Sequence, residues 1–132
     1  MSGAATSKLR PRRVLVVEDE YLLAVDLARS LERFGAEVLG PVATVEEALA
    51  MIKDAKVIDG AVLDINLNGV PVYPVAEALQ QRGAPFIFAS GYDATAVPAR
   101  FDSIPRVPKP VDTEALARRL MAFTITDASP DD

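Results

Sequence analysis

Gly60-Ala61-Val62-Leu63-Asp64-Ile65-Asn66-Leu67-Asn68-Gly69 is the stretch on which the reading of this chain turns. An apolar run ends abruptly in a carboxylate. A polar residue, a turn-former and a glycine follow. A short apolar run bounded by such signals reads as a strand buried on both faces. Asp64 then stands at the strand's carboxyl end, the edge at which open parallel α/β sheets bind ligands. On this segment alone the plainer reading is favoured, an Asp that turns or caps the chain. Its surroundings have to decide.

Outward from this segment the same kind of strand recurs. Residues 1–11 are small, polar and basic, and are expected to form a flexible arm. Val14-Leu15-Val16-Val17 is a β-branched first strand that ends in Glu18-Asp19-Glu20. Ala24, Leu27, Ala28, Leu31 and Phe34 follow at helical spacing, and Gly35 stands where a helix ends. Residues 37–42 read as a weaker strand. Thr44 and Glu47 form a capping-box pattern ahead of an apolar stripe of Val45, Ala48, Leu49 and Ile52. Residues 57–63 form the third strand. Val72, Val75, Ala76 and Leu79 mark a helix closed by Gly83. Residues 85–89 are a fourth strand, with Pro85 tolerable only at its start. Residues 104–107 are a fifth. Asp112 caps a last helix with Leu116, Leu120 and Phe123 inward, and residues 124–132 are a polar tail.

Strand and helix thus alternate with short links, which predicts a parallel sheet covered on both faces. The expected fold class is α/β: a flavodoxin-like, doubly wound five-stranded sheet of order 2-1-3-4-5. One domain is expected, over residues 12–123.

Composition narrows the chemistry. The chain has 132 residues, enough for one domain with a real core, and a formal net charge of -5. Bulk charge gives no support to nucleic-acid or membrane binding. No stretch approaches the roughly 18 apolar residues of a membrane-spanning helix. The N-terminus lacks a signal-peptide apolar region, so a cytoplasmic protein is expected. With no Cys and no His, thiolate and imidazole chemistry are excluded. Any metal must be held by oxygen, which favours Mg²⁺, Mn²⁺ or Ca²⁺.

In the 2-1-3-4-5 layout the first and third strands are neighbours, so Glu18 and Asp19 come close to Asp64. Three crowded carboxylates repel one another, and a hard divalent cation resolves the cost. Ser90 follows the fourth strand and Lys109 the fifth, at the same edge. Alone, Ser90 is more often a loop hydroxyl, Lys109 a solvated charge, and Glu18 or Asp19 the start of a helix. Five such residues at strand ends on one edge are poorly explained by coincidence. The set suits phosphoryl transfer, with Asp64 attacking and a cation, Lys109 and Ser90 binding the transferred oxygens.

At this point the chain resembles the receiver (CheY-like) domains of two-component response regulators. The pieces are Val14-Leu15-Val16-Val17-Glu18-Asp19-Glu20, Leu63-Asp64-Ile65-Asn66-Leu67, Phe88-Ala89-Ser90-Gly91 and Val107-Pro108-Lys109-Pro110. The resemblance covers about residues 12–123. It implies a signalling phosphoacceptor and not an enzyme acting on a separate substrate: a histidine kinase or phosphotransfer protein phosphorylates Asp64. It implies that Asp19, Asp64 and the backbone carbonyl of Asn66 ligate Mg²⁺ (or Mn²⁺), with Glu18 acting through water. Lys109 and Ser90 would contact the phosphoryl group, and the Lys109–Pro110 peptide would be cis. Pro85-Phe86-Ile87-Phe88-Ala89-Ser90-Gly91-Tyr92 is similar to the Pro-Phe-x-Phe-Ala-Thr-Gly-Tyr motif of the FATGUY receivers, with Ser90 for Thr. The aromatic that most receivers carry three residues before the lysine is replaced by Arg106.

A stand-alone switch is therefore expected, working through protein contacts, with homodimerisation through the fourth helix, fifth strand and fifth helix as one outlet. Direct contact with nucleic acid or membrane is not expected. Residues 92–103 should contain the fourth helix, but Pro98 and the scarcity of apolar anchors predict a short, mobile or partly disordered segment. A haloacid-dehalogenase type of hydrolase is disfavoured, because Asn66 occupies the position of that family's acid/base Asp. A vestigial interaction module is disfavoured by the intact set of Glu18, Asp19, Asp64, Ser90 and Lys109.

Overall fold

A computed structural model describes residues 10–91 and 97–128, and the side chains as far as residue 122. Five parallel strands form the sheet: β1 (Arg13–Val17), β2 (Glu37–Val42), β3 (Gly60–Asp64), β4 (Phe86–Ser90) and β5 (Arg106–Pro108). Their order is β2-β1-β3-β4-β5, as expected. The α-helices are α1 (Tyr21–Arg33), α2 (Val45–Asp54), α3 (Tyr73–Arg82) and α4 (Thr113–Ala128). A short antiparallel ribbon, Asn66–Leu67 with Val70–Pro71, follows β3.

Successive strand residues point to opposite faces, which splits the core in two. Leu15, Val17, Ala61, Leu63, Phe86 and Phe88 meet α2 and α3 on one face. Val14, Val16, Val62 and Ile87 meet Leu27 and Leu31 of α1 and Leu116 and Leu120 of α4 on the other. Both faces are covered, so the strands read as continuous apolar runs with little alternation.

Local signals set the helix ends. The Thr44 hydroxyl accepts from the Glu47 N–H, and the Glu47 carboxylate accepts from the Ala43 N–H. Gly35 (φ 93°) and Gly83 (φ 72°) take the left-handed conformation past α1 and α3, where an L side chain would be strained. Asp112 accepts from the Ala115 N–H ahead of α4.

Several expectations shift. The third strand starts at Gly60 rather than residue 57 and includes Asp64. Asp59 lies just before it: its N–H donates to the Arg13 carbonyl, but the Arg13 N–H is taken by the Asp59 carboxylate, which also pairs with Arg10. The fifth strand begins two residues late, at Arg106. Leu49 lies at the solvent edge of α2, outside the buried stripe of Val45, Ala48 and Ile52. α4 continues to Ala128, into the stretch read as a tail, since no Gly or Pro interrupts it.

The expected fourth helix falls partly on residues 92–96, outside the described residues. Residues 97–103 hold a 3₁₀ turn, Ala99–Phe101, and no α-helix. They are not without an anchor. Phe101 is buried, its ring 5.5 Å from Tyr73 in a stack and 5.8 Å from Phe88 edge-on. Arg100 lies over the same ring and pairs with Glu77 of α3.

Candidate functional site

Register turns sequence spacing into a row of side chains. Val17 pairs with Leu63, so Glu18 and Asp64 are each the next residue at the carboxyl edge. Asp64 pairs with Ala89, and Ser90 with Pro108, which brings Ser90 and Lys109 to that edge. The Glu18 N–H donates to the carbonyl of Val42, fixing the end of β1 against β2. A bulge makes this contact: Leu15 pairs with Leu39, but Val17 with Val42. Gly40 (φ 89°) sits in the bulge, where an added Cβ would come within 2.7 Å of the Val42 nitrogen.

Carboxylate oxygens of Glu18, Asp19 and Asp64 lie within 4.8 Å of one another. Glu18 and Asp64 are buried, and Asp19 is half-buried. One Asp64 oxygen accepts from the Lys109 ammonium at 2.9 Å and the other from the Asn66 N–H at 3.1 Å. Lys109 also reaches Glu18 at 3.2 Å and Glu20 at 3.3 Å. The Asn68 N–H, held by a left-handed φ of 53°, donates to Asp19 at 3.0 Å. The Lys109–Pro110 peptide is cis, as expected, and the Lys109 N–H donates to the Ser90 carbonyl. An open pocket of about 340 Å³ lies over this row, lined by Asp19, Glu20, Asp64, Asn66, Gly91 and Lys109 among others.

Crowding and burial move the protons. Burial, and a hydrogen bond with Asp64, push Glu18 up from 4.5 to about 8. Burial also raises Asp64, although its hydrogen bonds with Glu18 and Lys109 hold it back. Partial burial would raise Asp19, but hydrogen bonds with Asp64 and with backbone N–H groups outweigh it and leave the group below its usual range. Burial opposes the charge on Lys109, yet its bonds to Asp64 and Glu18 raise its pKa, so the ammonium persists. Three carboxylates whose oxygens converge at a small open pocket are oxygen donors of the kind a hard divalent ion takes, so the residues fit Mg²⁺.

All six residues anticipated here, Glu18, Asp19, Asp64, Asn66, Ser90 and Lys109, lie at one edge. The ion pair of Glu20 and the N–H of Asn68 were not anticipated. Glu20 directly follows the acidic pair, which is the signal that could have found it.

No family model matches the chain. SdrG from Sphingomonas melonis Fr1 is 39% identical, with a TM-score of 0.74 over 88% of this chain and 98% of that one. The receiver domain of the hybrid histidine kinase CckA is 31% identical, with a TM-score of 0.68 over 86% of this chain and 98% of that one. The sensory transduction protein LytT of Bacillus subtilis (strain 168) is 31% identical over 115 residues, 84% of this chain and 47% of LytT. The chain spans about half the length of the curated relatives it matches. It belongs to the receiver domains of two-component response regulators. Receivers are signalling phosphoacceptors. No described helix is long and apolar enough to cross a membrane.

Proposed function

We propose that Asp64 is the phosphoacceptor of a Mg²⁺-dependent receiver. The observation that carries this is a buried carboxylate at the end of the central strand, 2.9 Å from an ammonium and clustered with two further carboxylates. A histidine kinase or phosphotransfer protein supplies the phosphoryl group. An Asp64 oxygen bonds to phosphorus as the bond to the donor nitrogen breaks, and the imidazole leaves with the electron pair. Asp19, Asp64 and the Asn66 carbonyl would hold Mg²⁺, or Mn²⁺ in its place, with Glu18 acting through water. The ion supplies charge neutralisation at the transferred oxygens. Lys109 stabilises the charge on one phosphoryl oxygen, and Ser90 donates a hydrogen bond to another. The same groups are placed to position water for the hydrolysis that resets the switch. Tyr21 and Leu22, 76% and 81% exposed at the start of α1 directly after Glu20, suit contact with a protein donor.

The 85–92 segment supports membership of the FATGUY subgroup, and Arg106 at the start of β5, which leads to Lys109, fits a receiver that does not use the aromatic rotamer switch.

Incubation with acetyl phosphate and Mg²⁺ tests the assignment. The wild type gains one phosphate by mass, Asp64→Asn gains none, and Lys109→Ala folds but is phosphorylated at least about tenfold more slowly, given what one charge-stabilising donor contributes. Undiminished phosphorylation of Asp64→Asn rejects the assignment.

A further inference from the structure

Glu20 stands apart from the carboxylates around it. It is not among the three whose oxygens cluster for a cation. Its side chain is 61% exposed, whereas those of Glu18 and Asp64 are 3% and 4% exposed. It is the N-cap residue of α1, yet its side chain makes no capping hydrogen bond. Instead it turns across the pocket mouth to Lys109, at 3.3 Å. It lines the 340 Å³ pocket over Asp64 and also the neighbouring cavity of about 470 Å³ beside Leu23, Pro110 and Val111. An anion in the pocket over Asp64 lies beside the Glu20 carboxylate.

We propose that Glu20 is a specificity-determining residue, a gate charge that selects against small free phosphoanions as phosphoryl donors. This rests on the phosphoacceptor reading of Asp64. Three carboxylates, Glu18, Glu20 and Asp64, share the one ammonium at the site. Glu20 is the exposed one, and it contributes repulsion at the entrance without contributing a ligand. It also holds the ammonium that an incoming phosphoryl group must recruit. A protein donor offsets the repulsion with contacts that a free anion cannot make, and Tyr21 and Leu22 lie exposed next in sequence. A clustered charge of one sign at a cleft mouth changes the arrival rate of charged ligands and does so in a salt-dependent way.

The test compares wild type with Glu20→Gln, using acetyl phosphate, a dianion, and phosphoramidate, a net monoanion, each with Mg²⁺. In the acetyl phosphate reaction an Asp64 oxygen bonds to phosphorus, the bond to the acetyl oxygen breaks, and acetate leaves with the electron pair. Glu20→Gln should raise the second-order rate constant with acetyl phosphate by about three- to tenfold at low salt. The gain should be smaller with phosphoramidate and should fade toward about 1 M salt, where charges are screened within roughly 3 Å. A second readout is independent of phosphorylation. Mg²⁺ titration followed by amide shifts should give Glu20→Gln an affinity within about threefold of wild type, since an exposed charge outside the ligand set attracts the ion only weakly. Equal rates for both proteins, or an equal gain with both donors at every salt concentration, overturns the gate. Loss of Mg²⁺ binding in Glu20→Gln also overturns it, since Glu20 would then be a ligand. If neither protein takes up phosphate while both bind Mg²⁺, the phosphoacceptor reading fails and the gate with it.

Discussion

Glu18 holds a proton that an exposed glutamate would have lost well below neutral pH, because burial and the neighbouring Asp64 push its pKa to about 8. The folded value lies above the unfolded one. Between about pH 4.5 and 8 the folded state therefore binds more protons than the unfolded state, and stability falls as pH rises through that window. In metal-free protein the melting temperature should drop from pH 5 to pH 8. Glu18→Gln should flatten the drop and melt higher at pH 8, by about 4 °C if on the order of 1 kcal/mol of strain is relieved. Melts followed by circular dichroism decide it, and a level wild-type profile would contradict the assignment. Three of these carboxylates were legible because each ends or follows an apolar run. The part played by Glu20 was legible only as its place directly after the acidic pair; that it turns to Lys109, 89 residues on, is set by side-chain reach in the fold.

The elements differ in how well they announce themselves. α1, α2 and α3 carry a repeated apolar stripe and a capping residue or terminal glycine, so their positions follow from counting. Residues 97–103 have no stripe to count. Their attachment rests on one ring, Phe101, seated against Tyr73 and Phe88. Phe101→Ala should cost about 3–5 kcal/mol, the range for removing a buried aromatic. Denaturant unfolding of the variant measures that loss, and a change below about 1 kcal/mol would mean that the ring is dispensable. Amide exchange should correspondingly show residues 101–104 protected in both the free and the beryllofluoride-bound protein, so that switching, where it occurs, lies ahead of this anchor. The Ile104 N–H, which donates to the Phe101 carbonyl, is the reporter.

At the scale of the molecule, the site is a by-product of the winding. The strand order places β3 between β1 and β4, and every strand of a parallel sheet ends on the same edge. The acidic row is then held together against its own repulsion by the two apolar cores behind it. A cation that binds only the folded state adds to that stability by mass action. At ten times its dissociation constant, Mg²⁺ should stabilise the protein by about 1.4 kcal/mol. For a chain of this size that is a rise of about 5 °C in melting temperature, reversed by chelator. Asp19→Asn and Asp64→Asn should start from a higher metal-free melting temperature and lose most of the Mg²⁺ response. An unchanged response in both would place the ion elsewhere.

The amino-acid sequence by itself determined the alternation of strand and helix, the strand order and the candidate phosphoacceptor. The alternation rests on local apolar runs and capping residues, the order on the winding rules of parallel α/β sheets, and the phosphoacceptor on five polar residues that each follow or end such a run. Only the tertiary structure decided which charges meet. The Lys109 ammonium is shared among Asp64, Glu18 and Glu20; the Gly40 bulge sets the end of β1 beside β2; and Phe101 finds its aromatic seat. These contacts depend on register and on side-chain reach across the fold, to fractions of the 3.3 Å rise of a strand residue. Periodicity along a chain carries no information at that resolution.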